Sequence, residues 1–390
     1  MRKGWEVKRL GDVIEIKNGK NQKEVTSDSG SYPIMGSAGN VMGYATDFIC
    51  EAGTTIIGRK GNISKPIYIN ERIWTVDTAF GFYPKSENVI DKKFIFYLCL
   101  NIDFESMNRG TTIPSLVKSE LQKIPIAVPS ISEQQHIVTI LDEAFTAIAT
   151  AKANAEQNLK NAKELFESYL QGVFENKGKN WEEKTLGAVC SLITDGKHGD
   201  CENEEKSGYY FLSAKDVRNN TLIFDNARQI TKTGFEETHR RTNLKPGDIC
   251  MVNTGATIGR ISFAPDDSRT CNSTFQKSVA VIKTIPSLID NHYCRYILQS
   301  DLKKLVKVSS GTAVPNLLLG DLKRHKINLP KSLDEQHAIV QKLDALSTET
   351  KKLEAIYQQK IADLEELKKS ILQKAFSGEL KVSEPLVAAD

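Results

Sequence analysis

The chain carries the same long segment twice. Residues 110–174 open GTTIPSLVKSELQKIPIAVPSISEQQHIVTILDEAF and continue through LFESYLQGVF; residues 311–376 open GTAVPNLLLGDLKRHKINLPKSLDEQHAIVQKLDAL and continue through LKKSILQKAF. A repeat of this length implies two related halves, built to touch two places or one two-fold partner. Each copy has its own start: Trp5-Glu6-Val7-Lys8-Arg9-Leu10-Gly11 recurs as Trp181-Glu182-Glu183-Lys184-Thr185-Leu186-Gly187, at an offset of 176. The offset is 201 between Pro129 and Pro330 and 202 from Ile131 and Leu333 onward. The second globular part therefore carries roughly 25 extra residues, and the helical part none. Segments of free length usually face ligand, whereas a helix of fixed length suits a spacer.

A chain of 390 residues suits two or three domains. The repeat divides it into a first globular part at 1–130, a long helix at 131–176, a second globular part at 177–331, a second helix at 332–380 and a flexible tail at 381–390. Short β-branched runs bounded by glycine predict strands. Ser31–Gly36 and Gly208–Ser213 occupy similar places, and Gly53–Arg59 is echoed by Gly255–Arg260 with one residue fewer. A helical patch follows in each half, at Phe94–Leu98 and Tyr293–Leu298. The expected fold class is α+β: two strand-rich globular parts separated by two long helices packed as an antiparallel coiled coil, in a pseudo-two-fold internal repeat.

Ser132 and Asp334 are the expected N-caps, with Glu133 and Glu335 in the first turn where the helix dipole favours them. The first helix has seams Leu141, Ile148, Ala155, Ala162, Tyr169 and Phe145, Lys152, Leu159, Phe166, Val173. The second has Leu343, Thr350, Tyr357, Leu364, Ile371 and Leu346, Leu353, Lys360, Leu367, Lys374. Both repeat by sevens, the coiled-coil period. A helix over 132–174 is about 64 Å long and needs its apolar stripe covered. Its own repeat is the nearest cover. Stripe left exposed would serve partner subunits.

Charge follows the same division. The globular parts carry +3 over 1–130 and +6 over 177–330, while the helical segments 131–176 and 331–390 together carry −6. Basic globular parts suit a polyanion. No run of 18 apolar residues occurs, and the N-terminus has no apolar segment after its charges. A soluble cytoplasmic protein without membrane contact is the expectation. The seven cysteines have no C-x₂-C spacing and read as buried free thiols rather than a metal site or disulfide framework.

Catalytic constellations are missing. There is no G-x-G-x-x-G after a strand, no G-x-x-x-x-G-K-[ST] and no Asn/Asp-Pro-Pro-aromatic tetrapeptide, and the six histidines are dispersed. Pro265-Asp266-Asp267-Ser268-Arg269 reads as a polar turn. The candidates for contact with nucleic acid are basic residues near turns: Arg59 and Lys60, Arg260 in the corresponding place, Lys197 and His198, Arg240 and Arg241, and Lys303, Lys304 and Lys307. Lysines neutralise phosphates, and arginines also fork onto guanine edges. Gly-Thr-x-x-Pro, at 110–114 and 311–315, reads as a structural turn that Asn108 and Arg109 help to fix.

The repeated pattern resembles the conserved regions of the specificity subunits of type I restriction-modification systems. It runs Gly110, Thr111, Pro114, Leu116, Leu121, Pro129, Glu133, Gln134, Ile137, Val138, Leu141, Asp142, and again Gly311, Thr312, Pro315, Leu317, Leu322, Pro330, Glu335, Gln336, Ile339, Val340, Leu343, Asp344. The resemblance reaches about residue 380. It implies that each globular part is a target-recognition domain reading one half of a split, asymmetric double-stranded DNA sequence. It also implies that the helices set the spacing and bind two methyltransferase (modification) subunits, with restriction/translocase subunits added to the complex. The chain itself would be no enzyme and bind no cofactor or metal; S-adenosylmethionine, ATP and Mg are expected on the partners of this N6-adenine methyltransferase and ATP-dependent endonuclease. Two other readings compete: a recognition subunit for a fused methyltransferase-nuclease, and a two-headed protein scaffold that binds no DNA.

Overall fold

The computed structural model describes residues 4–176, 178–218, 220–307 and 316–380. Gly311, Thr312 and Pro315 of the second copy, and the tail 381–390, lie outside the described residues. The chain forms two compact units, one of residues 1–157 with 357–390 and the other of residues 158–356. Each unit takes one globular part and a portion of both long helices, Ile131–Glu175 and Leu333–Ser377.

The repeated start and end signals are hydrogen-bonded to one another. In the first unit, strand Glu6–Arg9 pairs antiparallel with Pro125–Val128, just before the first long helix. In the second, Trp181–Thr185 pairs with Lys326–Pro330, Trp181 opposite Pro330. Between these closing strands each unit builds a four-stranded sheet. Its order is Ile14–Asn18, Ala79–Pro84, Thr54–Gly58, Ile67–Ile69 in the first and Cys190–Asp195, Val279–Thr284, Ile249–Val252, Ile261–Phe263 in the second. The inner strands Thr54–Gly58 and Ile249–Val252 are buried at every residue, which explains their unbroken rather than alternating apolar and threonine runs. A parallel pair flanks each sheet, Tyr32–Met35 with Trp74–Thr75 and Tyr210–Leu212 with Ser273–Phe275.

The strand registers correct one correspondence. Ile56 lies opposite Gly81 and Cys250 opposite Val281, in sheets otherwise in step, so the counterpart of Gly53–Arg59 is Gly247–Asn253. The left-handed glycines agree: Gly53 at φ 88° with Gly247 at 85°, and Gly61 at 81° with Gly255 at 100°. Gly255–Arg260 is instead the turn after the strand, and Arg260 does not occupy the place of Arg59. The likeness of letters misled because both segments set β-branched residues between two glycines and end in Gly-Arg.

A buried polar frame joins each sheet unit to its long helix, and it is the same in both halves. The Gln134 side chain is fully buried; its Oε1 accepts from Asp91 N (2.8 Å) and its Nε2 donates to Val89 O (2.9 Å) and Pro129 O (2.8 Å). Gln336 repeats this with Asp290 N (2.8 Å), Leu288 O (3.1 Å) and Pro330 O (3.0 Å). Asp91 and Asp290 in turn cap the short helices Lys92–Asn101 and Asn291–Ser300. About two turns along, Asp142 accepts from Tyr97 Oη and from Lys93 Nζ (2.6 Å), and Asp344 accepts from Tyr296 Oη (2.5 Å). The Gln of the Glu-Gln pair and the Asp of the Leu-Asp pair are thus hydrogen-bonding anchors, and the buried glutamines have the partners that buried polar groups require.

The long helices start earlier than their caps suggested. Ser130 Oγ accepts from Glu133 N (3.4 Å) and Ser332 O accepts from Gln336 N (3.2 Å), so Ser132 and Asp334 lie inside the first turn. Within the first unit Ile137 and Leu141 share a core with Leu372 and Ala375, and Lys368 lies 4.9 Å from the Phe145 ring centre. Within the second unit Leu170 and Phe166 share a core with Val340 and Leu343. Early residues of one helix meet late residues of the other in each unit, so the pair is antiparallel. Leu141, Ile148 and Leu343 are buried and Leu159, Phe166, Tyr357, Leu364 and Ile371 half-buried. Tyr169 (42% exposed) and Leu353 (38%) do not lie in the seam; Leu170 takes the place expected of Tyr169. A strict seven-residue spacing drifts about 20° per heptad around a straight helix, so by the fourth repeat the stripe has moved one position.

All seven cysteines are free, six of them buried and Cys271 exposed. No described helix is long and apolar enough to cross a membrane.

Candidate nucleic-acid interface

In the first unit Arg59 and Lys60 are exposed on the turn that follows the central strand Thr54–Gly58. That turn is held on both sides. Arg59 N and Lys60 N donate to Thr78 O (2.8 and 3.1 Å), while Leu116 N donates to Arg59 O (2.9 Å) and Gly61 N to Pro114 O (2.9 Å). The repeated Gly-Thr-x-x-Pro segment is therefore the brace behind two exposed cations. Asn108 Oδ1 shapes it by accepting from Gly110 N (2.8 Å) and Ser115 N (2.9 Å). A Cβ on Gly110 would stand 1.8 Å from Ile113 O, so only glycine fits. In the second unit Leu317 N donates to Asn253 O (2.8 Å) at the equivalent place, and Thr254 Oγ1 donates to Asn316 Oδ1 (2.8 Å).

The extra length of the second globular part lies mainly between Tyr210–Leu212 and Ile249–Val252. It contains the hairpin of Val217–Arg218 with Thr221–Leu222 and the helix Lys232–Thr242. This helix packs on the sheet and brings three of the expected residues together. Arg241 reaches the buried Asp195 and donates through Nε to Thr194 Oγ1 (3.1 Å); His198 Nε2 lies 3.0 Å from the same Asp195 carboxylate. Lys197 Nζ meets Glu237 at 3.2 Å, and that hydrogen bond raises its pKa above the ordinary lysine value. Arg240 is exposed beside them, and among the described residues it has no ion-pair partner.

The remaining candidates lie elsewhere in the second unit. Lys304 pairs with Asp301 (2.6 Å), which also receives His325 (2.9 Å). Burial pushes the Asp301 carboxyl up, but the hydrogen bonds from His325 and Lys304 outweigh it and leave it below the usual aspartate value. Lys303 lines a cavity with Glu164, Glu167 and Glu175, an acidic rather than a basic setting. Lys307 is exposed at the end of its helix. Arg260 lines a different cavity together with Arg218 and Arg295, neither of which the sequence reading singled out. A signal was present: Arg295 interrupts an aromatic run, Tyr293-Cys294-Arg295-Tyr296, where the first copy has Phe94-Ile95-Phe96-Tyr97. Among the described residues no group of three or more His, Cys, Asp or Glu is placed to hold a metal ion.

The sequence matches the family described as "Type I restriction modification DNA specificity domain" over residues 2–161 and again over 178–365. It is 25% identical over 406 residues to the type I restriction enzyme MjaVIII specificity subunit of Methanocaldococcus jannaschii, covering 97% of this chain and 93% of the relative. It is 25% identical over 360 residues to the EcoBI specificity subunit of Escherichia coli, covering 83% and 73%. Two solved structures share the fold. A chain from work on complex assembly and conformational transition of the type I R-M system aligns with a TM-score of 0.77 at 20% identity, over 97% of this chain and 99% of the other. The HsdS subunit from Thermoanaerobacter tengcongensis aligns with a TM-score of 0.60 at 19% identity, over 97% and 98%.

Proposed function

Since this chain belongs to the family of type I restriction-modification specificity subunits, we propose that its two globular parts, 1–130 and 177–331, each read one half of a split, asymmetric DNA target. As a member of that family it is a sequence-specific DNA-binding subunit of a type I restriction-modification complex and carries no catalytic function of its own. The observation that carries the proposal is the contrast between frame and readers. Gln134 and Gln336 make the same three bonds, and Asp142 and Asp344 take the same tyrosine. The exposed parts differ: an Arg59-Lys60 turn in one copy, and in the other an added helix bearing Arg240 and Arg241. Identical frames with different faces select different bases, because base edges are read by side chains and phosphates only fix position.

The long helices, placed at 131–176 and 332–380, serve in this reading as the spacer and as the platform for two methyltransferase subunits, to which restriction subunits are added in the cytoplasm. The exposed Tyr169 and Leu353 support that role, being apolar side chains on helices that the chain itself leaves uncovered. S-adenosylmethionine, ATP and Mg then belong to the partners. Methylation sequencing of a host carrying the intact system, with and without this gene, tests the proposal. A bipartite, non-palindromic motif that vanishes with the gene is expected. A palindromic motif, or one that persists without the gene, overturns it.

A further inference from the structure

We propose that the cavity around Arg295 in the second unit is a binding site for a phosphate-bearing ligand. The cavity holds about 580 Å³ and is lined by Arg218, Arg260 and Arg295 together with Asn220 and Gln299, and among the described residues no carboxylate lines it. Volumes of this order accommodate a nucleotide-sized group. Arg218 Nε donates to Lys215 O (2.6 Å); Arg218 and Arg260 are exposed, and among the described residues neither makes an ion pair.

Arg295 is the informative member. It is only 8% exposed; among the described residues its buried Nε has no hydrogen-bond partner, and its Nη2 forms only a long ion pair with Asp344, at 3.8 Å and beyond hydrogen-bond length. The Asp344 oxygen concerned already accepts from Tyr296 Oη at 2.5 Å. The guanidinium instead lies over the rings of Tyr296 (4.2 Å) and Phe263 (5.5 Å). A buried guanidinium that leaves one N–H without an acceptor is costly, and a ligand that supplies the missing acceptor offsets that cost.

The repeat gives an independent control. Phe96 holds the place of Arg295 in the first unit, one residue before Tyr97, as Arg295 precedes Tyr296. Phe96 packs on Tyr68 at 5.9 Å and on Tyr97 at 5.2 Å, and Tyr68 is the register counterpart of Phe263. A phenyl ring therefore satisfies the ring packing at this position; the guanidinium adds a charge that reaches Asp344 only at 3.8 Å, where the first copy gives Asp142 a close partner in Lys93 at 2.6 Å. Two adjoining cavities also reach Arg295. Their further charged lining is Lys163 and Lys351 against Glu167, Glu354 and Asp344, which leaves the arginine-lined chamber as the cationic one.

Phosphate can arrive as the backbone of bound DNA or as a free nucleotide; the DNA source rests on the function proposed above. The test compares the full chain, in complex with its methyltransferase partner, with Arg295→Phe and with Arg218→Ala/Arg260→Ala. Binding is followed by salt-dependent anisotropy of duplex DNA and by calorimetric titration with AMP and inorganic phosphate. If DNA phosphate fills the site, Arg295→Phe weakens duplex binding about tenfold or more, alike for target and non-target DNA, and lowers the salt slope by about 1 while the methylated motif is unchanged. If a free nucleotide fills it, duplex binding is unchanged and the AMP or phosphate heat is lost. If Arg295→Phe does not fold, the exposed double variant gives the same readouts. Unchanged DNA affinity, salt slope and nucleotide heat in a folded variant overturn the proposal. Loss of the methylated motif from the parent complex is a separate outcome and overturns only the reading of function.

Discussion

Replacing Gln134 with leucine removes three hydrogen bonds at a fully buried position without creating a cavity, since the two side chains are similar in size. Each intramolecular bond contributes about 1 kcal/mol net, giving about 3 kcal/mol. The substitution also strands the Asp91 N–H and the Val89 and Pro129 carbonyls beside an apolar group, and an unsatisfied buried group costs about 1–3 kcal/mol where water does not reach it. A loss of about 3–5 kcal/mol is therefore expected. Domain stabilities are about 5–15 kcal/mol, so the variant remains folded and measurable. Gln134→Glu is expected to cost more than leucine: the acceptor toward Asp91 N–H survives, but a buried carboxylate then faces the Val89 and Pro129 carbonyl oxygens. Urea unfolding of the full chain gives the magnitude, and hydrogen exchange of the helix Lys92–Asn101 shows where it falls. Gln336→Leu should destabilise the second unit by a similar amount. The partners of Gln134 and Gln336 lie in different units, so the double variant should be additive to within about 0.5 kcal/mol. A loss below about 1 kcal/mol in both single variants, or lost protection in the opposite unit, would refute the frame argument.

Leu141→Ala should destabilise the first unit by about 2–5 kcal/mol in urea melts, because Leu141 is fully buried against the second long helix. The depressed Asp301 carboxyl adds stability that is present above the ordinary aspartate pKa and lost as pH falls through its lower folded value. Asp301→Asn should therefore cost about 1–3 kcal/mol at neutral pH and converge with the parent in strong acid; a pH-independent difference refutes the assignment. Arg59→Ala with Lys60→Ala should weaken DNA binding by the complex and alter the methylated motif at one half-site at most, as read by methylation sequencing. Removing residues 149–155 together with 358–364 keeps the antiparallel seam in step and should change the unspecified gap of the methylated motif while sparing both half-sites. A changed half-site contradicts the spacer role.

The long helices and the repeat were legible in the sequence because each is encoded over a short span or by a literal copy. A seven-residue apolar period specifies a covered helix, and Trp5 with Trp181 and Pro129 with Pro330 mark the ends of each copy. Even so, Tyr169 lies one step off the seam, since period alone does not say where a stripe drifts over four heptads of a straight helix. The Glu-Gln pair was legible as a motif and illegible as a mechanism. Its partners Val89 and Leu288 lie 45 and 48 residues away, and nothing local names them.

The sequence by itself determined that there are two copies of one frame with long helices after each, and that the copies diverge between their fixed ends. Tertiary structure alone decided which residues of the divergent part meet. Arg241, His198 and Asp195 come together because an added helix folds back on its sheet, and Arg260 stands beside Arg295 rather than in the place of Arg59. Strand register made that choice: it sets which residue lies opposite which across dozens of intervening positions, and a one-residue slip reverses every side chain. The sequence puts a cation at position 295, but that it lies against the rings of Phe263 and Tyr296 at the edge of a cavity is decided only by the tertiary fold.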